Sequence, residues 1–176
     1  MIILTGVAGA GKSMQGKILA DEHGYAWIST GEILRVLVTG RRRQEMLQGK
    51  LLSDDEMIAI LDKVLELIDT DQEFVLDGFP RTVPQADWLF RQTKEGRFKF
   101  SGVIHLAASE EVVRARLEQR GRPDDNEEAI NERFTEYKKV TLPIIEHFRR
   151  LGVSVCNIDA SRSPREVHDA ILRCVD

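Results

Sequence analysis

Near the start of the chain, Gly6-Val7-Ala8-Gly9-Ala10-Gly11-Lys12-Ser13 fits the pattern G-x-x-x-x-G-K-[ST], a composition suited to holding an anion. Glycines let successive backbone N–H groups turn inward on one oxyanion, and a following helix adds partial positive charge. Lys12 can then reach the outer phosphates, and the Ser13 hydroxyl suits a hard divalent cation. Further along, Glu73-Phe74-Val75-Leu76-Asp77 reads as an apolar strand ending in a carboxylate, the usual complement for holding Mg2+ or its waters. Without the loop, a strand-terminal Asp would read as a turn or helix cap. A third group is cationic: Arg114, Arg116, Arg120 and Arg122, offset by Glu118, give segment 114–122 a charge of +3. Arg116 and Arg120 are four apart, on one face of a helix that Ser109 caps. Guanidinium forks offer bidentate contacts to phosphate oxygens. The common fate of such arginines is solvated pairing, here with Glu110, Glu111 and Glu118. Beside a phosphate loop the balance shifts to phosphoryl chemistry, in which charge spreads over oxygens and side chains have little covalent work to do.

These residues must be held by a scaffold, and the hydrophobic pattern says which. Strands are predicted at 2–5, 25–28, 73–77, 102–107 and 153–158, each rich in β-branched or aromatic residues and followed by a turn signal. Helical patterns fill the gaps. The clearest is 54–69, where Met57, Ile58, Leu61, Val64, Leu65 and Ile68 recur at helical spacing behind a Ser53/Glu56 capping box. Ser163, Pro164 and Glu166 repeat the box, and Thr82 with Gln85 forms a third candidate. Strands alternating with helices imply right-handed crossovers: a three-layer, doubly wound α/β sandwich on a five-stranded parallel sheet, with ligands at the carboxyl ends of the strands. No linker or repeat divides the chain, so 1–176 is expected to be one domain. The stretch 30–72 holds more helix than one crossover needs and is expected to form a subdomain.

Composition narrows the class. A chain of 176 residues, 42% apolar and 31% charged, is long enough for a real core and is neither disordered nor membrane-spanning by pattern. Twenty-five basic against 29 acidic residues leave a net charge of −4, which argues against bulk binding to nucleic acid or anionic membranes. The triplet Arg41-Arg42-Arg43 lacks aromatic interleaving and is read as a solvated surface. The four histidines are scattered and receive no metal or base role. Cys156 and Cys174 are expected to be two reduced thiols, since their spacing matches neither zinc sites nor disulfide frameworks. The N-terminus opens directly on strand-like residues, so no export signal is expected and the location is read as cytoplasmic.

The run Phe74-Val75-Leu76-Asp77-Gly78-Phe79-Pro80-Arg81-Thr82-Val83-Pro84-Gln85 resembles the signature of the adenylate kinases and related nucleoside monophosphate kinases. Other segments resemble the same family in order along the chain. They are Ser29 through Arg35, Gly49-Lys50-Leu51-Leu52-Ser53-Asp54-Asp55-Glu56, Arg116 through Arg120, Gly121 through Asn126, and Arg133 through Tyr137. The resemblance implies a P-loop nucleoside triphosphate hydrolase-like fold and reversible phosphoryl transfer with Mg2+, ATP plus AMP giving two ADP. It implies an ATP site at Gly9, Ala10, Gly11, Lys12, Ser13, Met14, Arg116 and Arg120. The AMP site it implies comprises Thr30, Arg35, Leu52, Gly78, Arg81, Gln85, Arg122 and Arg133, with Thr30 and Gln85 beside the base. Lys12, Arg81, Arg120, Arg122 and Arg133 are the implied catalytic set, and Asp77 the magnesium residue, acting through water. The amide of Gln85 supplies a donor beside an acceptor, able to meet a base edge. The alternatives are a kinase for another monophosphate such as CMP, UMP or dAMP, or a regulatory module that binds nucleotide with weak transfer. The expected partners are small nucleotides, and the chain is expected to act as a monomer.

Two departures from the family pattern stand out. Ala8 and Ser13-Met14 replace the usual Pro and Gly-Thr of the loop; Ser13 is expected to contact Mg2+ directly. Only Gly121 separates Arg120 from Arg122, where relatives carry a longer lid. With so small a lid, at 120–123, shielding of the phosphoryl group is expected to depend on closure of an acceptor subdomain, about 29–60.

Overall fold

Short apolar runs that alternate with amphipathic helices bury best as parallel strands covered on both faces. That arrangement is found in the computed structural model, which describes residues 1–47, 52–123 and 125–175. The strands are β1 (Ile2–Thr5), β2 (Ala26–Ser29), β3 (Phe74–Asp77), β4 (Gly102–Ala107) and β5 (Val155–Asp159). They form one sheet in the order β2-β3-β1-β4-β5, parallel throughout. The expected doubly wound α/β fold and all five expected strands are therefore observed, β1 and β4 at the expected bounds and the others with ends shifted by no more than two residues. Register sets the functional rim: Leu4 and Ser29 both lie opposite Asp77, and Thr5 opposite His105. The ends of β1, β2 and β3 thus meet side by side.

Among the described residues the helices are α1 (Lys12–His23), α2 (Thr30–Leu37), α3 (Gly40–Leu47), α4 (Asp54–Leu65), α5 (Val83–Lys94), α6 (Glu110–Arg120), α7 (Glu127–Glu136), α8 (Leu142–Arg150) and α9 (Pro164–Val175). A π-helical turn, Tyr137–Thr141, joins α7 to α8. One core packs Leu19, Val113, Leu117, Ile130, Phe134, Val167 and Ile171, from α1, α6, α7 and α9, on one sheet face. The other packs Leu34, Met57, Leu61, Leu65, Leu89, Ile144 and Phe148, from α2, α4, α5 and α8, on the opposite face.

Local signals mostly act as read. Ser53 and Glu56 cap each other at the start of α4, Ser109 caps α6, and Ser163 with Glu166 closes the start of α9. Three expectations are corrected. Helix α4 ends at Leu65, not 69, because the chain tightens into a turn with Leu67 N–H on the Val64 carbonyl and Leu67 left in solvent. Thr82 does cap α5 through the Gln85 N–H, but the Gln85 amide turns away from Thr82 to the Arg81 N–H, so the reciprocal box does not form. Cys156 and Cys174 are joined in a disulfide and are not free thiols. Helix α9 returns along β5, which brings positions distant in sequence to a Cα separation of 6.3 Å. Arg41 and Arg42 pair with Glu45 and Glu56, as a solvated surface would. No described helix is long and apolar enough to cross a membrane. Gly49, Lys50 and Leu51, part of one motif noted above, lie outside the described residues.

Candidate functional site

The loop after β1 is shaped by its glycines. Gly6 has φ +145°, and a Cβ there would sit 2.4 Å from the Leu106 carbonyl oxygen of β4, so only glycine lets the chain leave the sheet at this point. Gly11 is left-handed and starts α1. The loop therefore closes around Lys12, whose Nζ donates to the Gly6 and Val7 carbonyls at 2.8 and 2.9 Å. Burial pulls its pKa down to about 8; Asp77 opposes the shift, while Arg81, Arg120 and Arg133 add to it. One residue on, Ser13 Oγ donates to Asp77 Oδ2 at 2.6 Å, joining the helix start to the end of β3. Asp77 is 2% exposed.

Loop and carboxylate open onto a cleft of about 700 Å³. Gly9, Ala10, Gly11, Lys12, Ser13, Met14, Asp77 and Gly78 line it. So do the arginines Arg35, Arg81, Arg116, Arg120, Arg122 and Arg133, delivered by α2, the β3–α5 turn, α6, the segment after α6, and α7. Leu52 lines it from the segment before α4. Thr30 and Gln85 differ: both are buried beside the cleft without lining it, Thr30 Oγ1 donating to the Asp77 carbonyl at 3.3 Å.

Each arginine is held in place. Arg81 Nε donates to the Gly78 carbonyl, and burial lowers its pKa from the ordinary guanidinium value. Arg116 donates from Nη1 to the Ala160 carbonyl at 2.8 Å, tying α6 to the β5–α9 loop. Arg35 Nη2 and Arg122 Nη2 meet the same Glu32 oxygen at 2.7 and 3.2 Å. Hydrogen bonding from Arg35 holds Glu32 below the usual carboxylate range; burial opposes the shift, and the charge of Arg35 and then the charge and hydrogen bond of Arg122 add to it.

Three acidic residues of this site carried no such assignment from sequence. Asp125, 1% exposed at its side chain, accepts from Arg120 Nε at 2.8 Å, from the Arg122 N–H at 3.1 Å and from Arg133 Nη1 at 3.4 Å. One buried carboxylate thus gathers three of the expected phosphate arginines. Glu32 joins the start of α2 to the segment after α6 across the cleft. Glu136, lining the cleft near Arg81 and Arg133, is raised above the ordinary carboxylate pKa by burial. Only the excess of carboxylates near the arginines hinted at such roles. His105 also gains a position: buried, its ring nitrogens meet Asn157 Oδ1 at 2.9 Å and the Tyr137 hydroxyl at 2.6 Å, and Tyr137 lines the cleft.

A cation would find hard oxygen ligands at Ser13 and Asp77. Among the described residues no group of three or more His, Cys, Asp or Glu could hold a metal. Two oxygen ligands suit an ion that keeps most of its shell as water and phosphate oxygen, as Mg2+ does.

A family model described as Adenylate kinase matches residues 4–153. The chain is 36% identical to adenylate kinases of Corynebacterium urealyticum and Corynebacterium glutamicum, over 99% of its own length and 98% of theirs. It is likewise 36% identical to the adenylate kinase of Rhizobium meliloti, over 86% of this chain and 87% of that one.

Proposed function

This chain belongs to the adenylate kinase family, and from that premise we propose that it transfers the γ-phosphoryl group of ATP reversibly to AMP, giving two ADP. The observation that carries the proposal is convergence. In a protein of net charge −4, one cleft gathers the glycine loop, Lys12, Asp77 and seven arginines, the six above and Arg162, from separate segments. A triphosphate and a monophosphate meeting end to end need such a concentration of positive charge.

In the proposed mechanism the backbone N–H groups of Gly9 through Ser13 hold the donor phosphates at the start of α1. Lys12 exchanges its two loop carbonyls for phosphate oxygens and is drawn back toward the charged form. Arg116 orients the donor from the β5–α9 side. Arg35 and Arg81 hold the acceptor phosphate. Arg120, Arg122 and Arg133, positioned by Asp125, surround the group in transfer. Bound beside Ser13 and Asp77, Mg2+ would supply electrostatic neutralisation of the phosphate oxygens. Catalysis is then positioning and electrostatics, without a covalent intermediate. Segment 29–60 serves as the acceptor subdomain and 120–123 as a minimal lid, in a cytoplasmic monomer.

The test is a coupled assay of ADP formation from ATP with AMP, CMP, UMP, GMP and dAMP, with and without Mg2+. AMP is expected to be the preferred acceptor and turnover to require the ion. Absence of ADP from ATP and AMP would reject the proposal; elution at the mass of one chain checks the monomer.

A further inference from the structure

The Gln85 amide is locked in one sense by its own protein. Its Oε1 accepts from the Arg81 N–H at 2.8 Å, and its Nε2 donates to Asp54 Oδ1 at 2.8 Å. The same Asp54 oxygen accepts from Thr82 Oγ1 at 2.6 Å, which anchors the carboxylate to the start of α5. A glutamine amide is nearly symmetric in shape but not in hydrogen bonding. Turning it over would set its oxygen against a carboxylate and its NH2 against an N–H. An ionised carboxylate cannot donate, and an N–H cannot accept. Each amide heteroatom still keeps one further valence, a hydrogen on nitrogen and a lone pair on oxygen.

We propose that Asp54 determines which acceptor base is read, by fixing the Gln85 amide so that it matches an amino group beside a ring nitrogen and refuses a keto group beside a ring N–H. This rests on the reading that Gln85 meets the acceptor base. On the N6/N1 edge of adenine a glutamine amide can accept from the exocyclic amine and donate to N1, the same two-contact pairing it makes on N6/N7. Hypoxanthine has nearly the same shape with donor and acceptor exchanged on that edge. A freely turning amide would serve both bases; a locked one serves the 6-aminopurine. Asp54 lies in the first turn of α4 and Gln85 in the first turn of α5, so the lock is built between two elements and not within one. It is a positioning residue, acting on the base through Gln85.

The experiment compares kcat/KM for AMP and IMP in the wild type, Asp54→Asn, Asp54→Ser and Gln85→Ala. An amide or hydroxyl at position 54 can donate to a turned-over Gln85, which removes one of the two constraints. In both position-54 variants the AMP-to-IMP ratio is expected to fall at least about fivefold, as loss of one base-edge discrimination predicts. The change should lie mainly in KM, with kcat for AMP within about twofold of wild type. A ratio taken within one preparation does not depend on the fraction of protein that folds. Equal loss toward both nucleotides would mean that Asp54 only ties α4 to α5, and overturns the inference. An unchanged ratio at position 54, with discrimination lost in Gln85→Ala, also overturns it but leaves Gln85 as the base reader. An unchanged ratio in Gln85→Ala removes both.

Discussion

Lys12 is the residue on which charge and burial conflict most directly. Burial lowers its pKa to about 8, so the free protein holds it charged at pH 7 and loses that charge as pH rises. Phosphate oxygens favour the ammonium form, which makes ATP binding above pH 8 a proton-uptake step. Accordingly, kcat/KM for ATP is expected to fall as pH rises through 8, while kcat at saturating ATP changes much less; steady-state kinetics from pH 6.5 to 9.5 would read this. The same shift bears on stability. Between pH 8 and the unfolded value near 10.5 the unfolded chain binds more protons, so the penalty of the buried ammonium is full below pH 8 and fades toward 10.5. Lys12→Met should therefore abolish most turnover, by at least about 10²-fold. It should also raise unfolding free energy at pH 7 by about 1–3 kcal/mol, the lower end reflecting the side that opens to the cleft. Chemical denaturation at pH 7 and 10 should show the gain shrinking. Ser13 gives a narrower case. With its hydroxyl on Asp77 at 2.6 Å, Ser13→Ala is expected to raise the Mg2+ concentration for half-maximal activity about 3- to 10-fold. An unchanged magnesium titration would leave Ser13 as a structural contact to Asp77 only.

Arginines on separate elements act together only if something fixes the distance between those elements, and Asp125 does so where α6 ends and α7 begins. Asp125→Asn keeps the shape but removes the charge that Arg120 and Arg133 share. A fall in kcat of about 10² is expected. In a double-mutant cycle with Arg120→Ala, the two losses should be strongly non-additive. Additive losses would show that the carboxylate and the arginine work independently. This junction also marks the limit of what sequence displays. The motif from Gly6 to Ser13 was legible because loop, lysine and helix start are contiguous, and the strands because each apolar run is bounded by its own turn. Asp125, in contrast, sits in an acidic run before the Asn126 cap and reads as helix-start charge; its partnership with Arg120 depends on how two helices meet. Spacing likewise placed Gln85 in a capping box, but spacing does not say which N–H its amide will choose. Position Gly6 shows the same limit within a motif, since the Leu106 carbonyl that forbids a side chain there comes from β4, a hundred residues away in sequence.

Over the whole molecule, the unusual feature is how little covers the reacting phosphates from the α6 side. Gly121 alone separates Arg120 from Arg122, so in the proposed mechanism water exclusion would fall to the segment that carries α2 and α4. Glu32 already bridges the gap, pairing with Arg35 on its own helix and with Arg122 opposite. In the proposed mechanism incoming phosphates would compete with Glu32 for both arginines, so the bridge would oppose binding at the start and guide the two sides together. On that proposal the donor phosphate would stay open to water until AMP fills the acceptor side. Phosphate release from ATP, measured per ADP transferred, is therefore expected to be about tenfold higher than in a family member with a longer segment between the corresponding arginines. Glu32→Gln should raise the ratio further, because it removes the charge that draws α2 toward Arg122 before the acceptor arrives. The two proteins must be compared side by side, at saturating ATP and with AMP varied from zero. If the release falls to the relative's level only as AMP saturates, shielding comes from acceptor-driven closure; if it equals the relative's level without AMP, the residual segment at 120–123 is cover enough and the closure model is wrong.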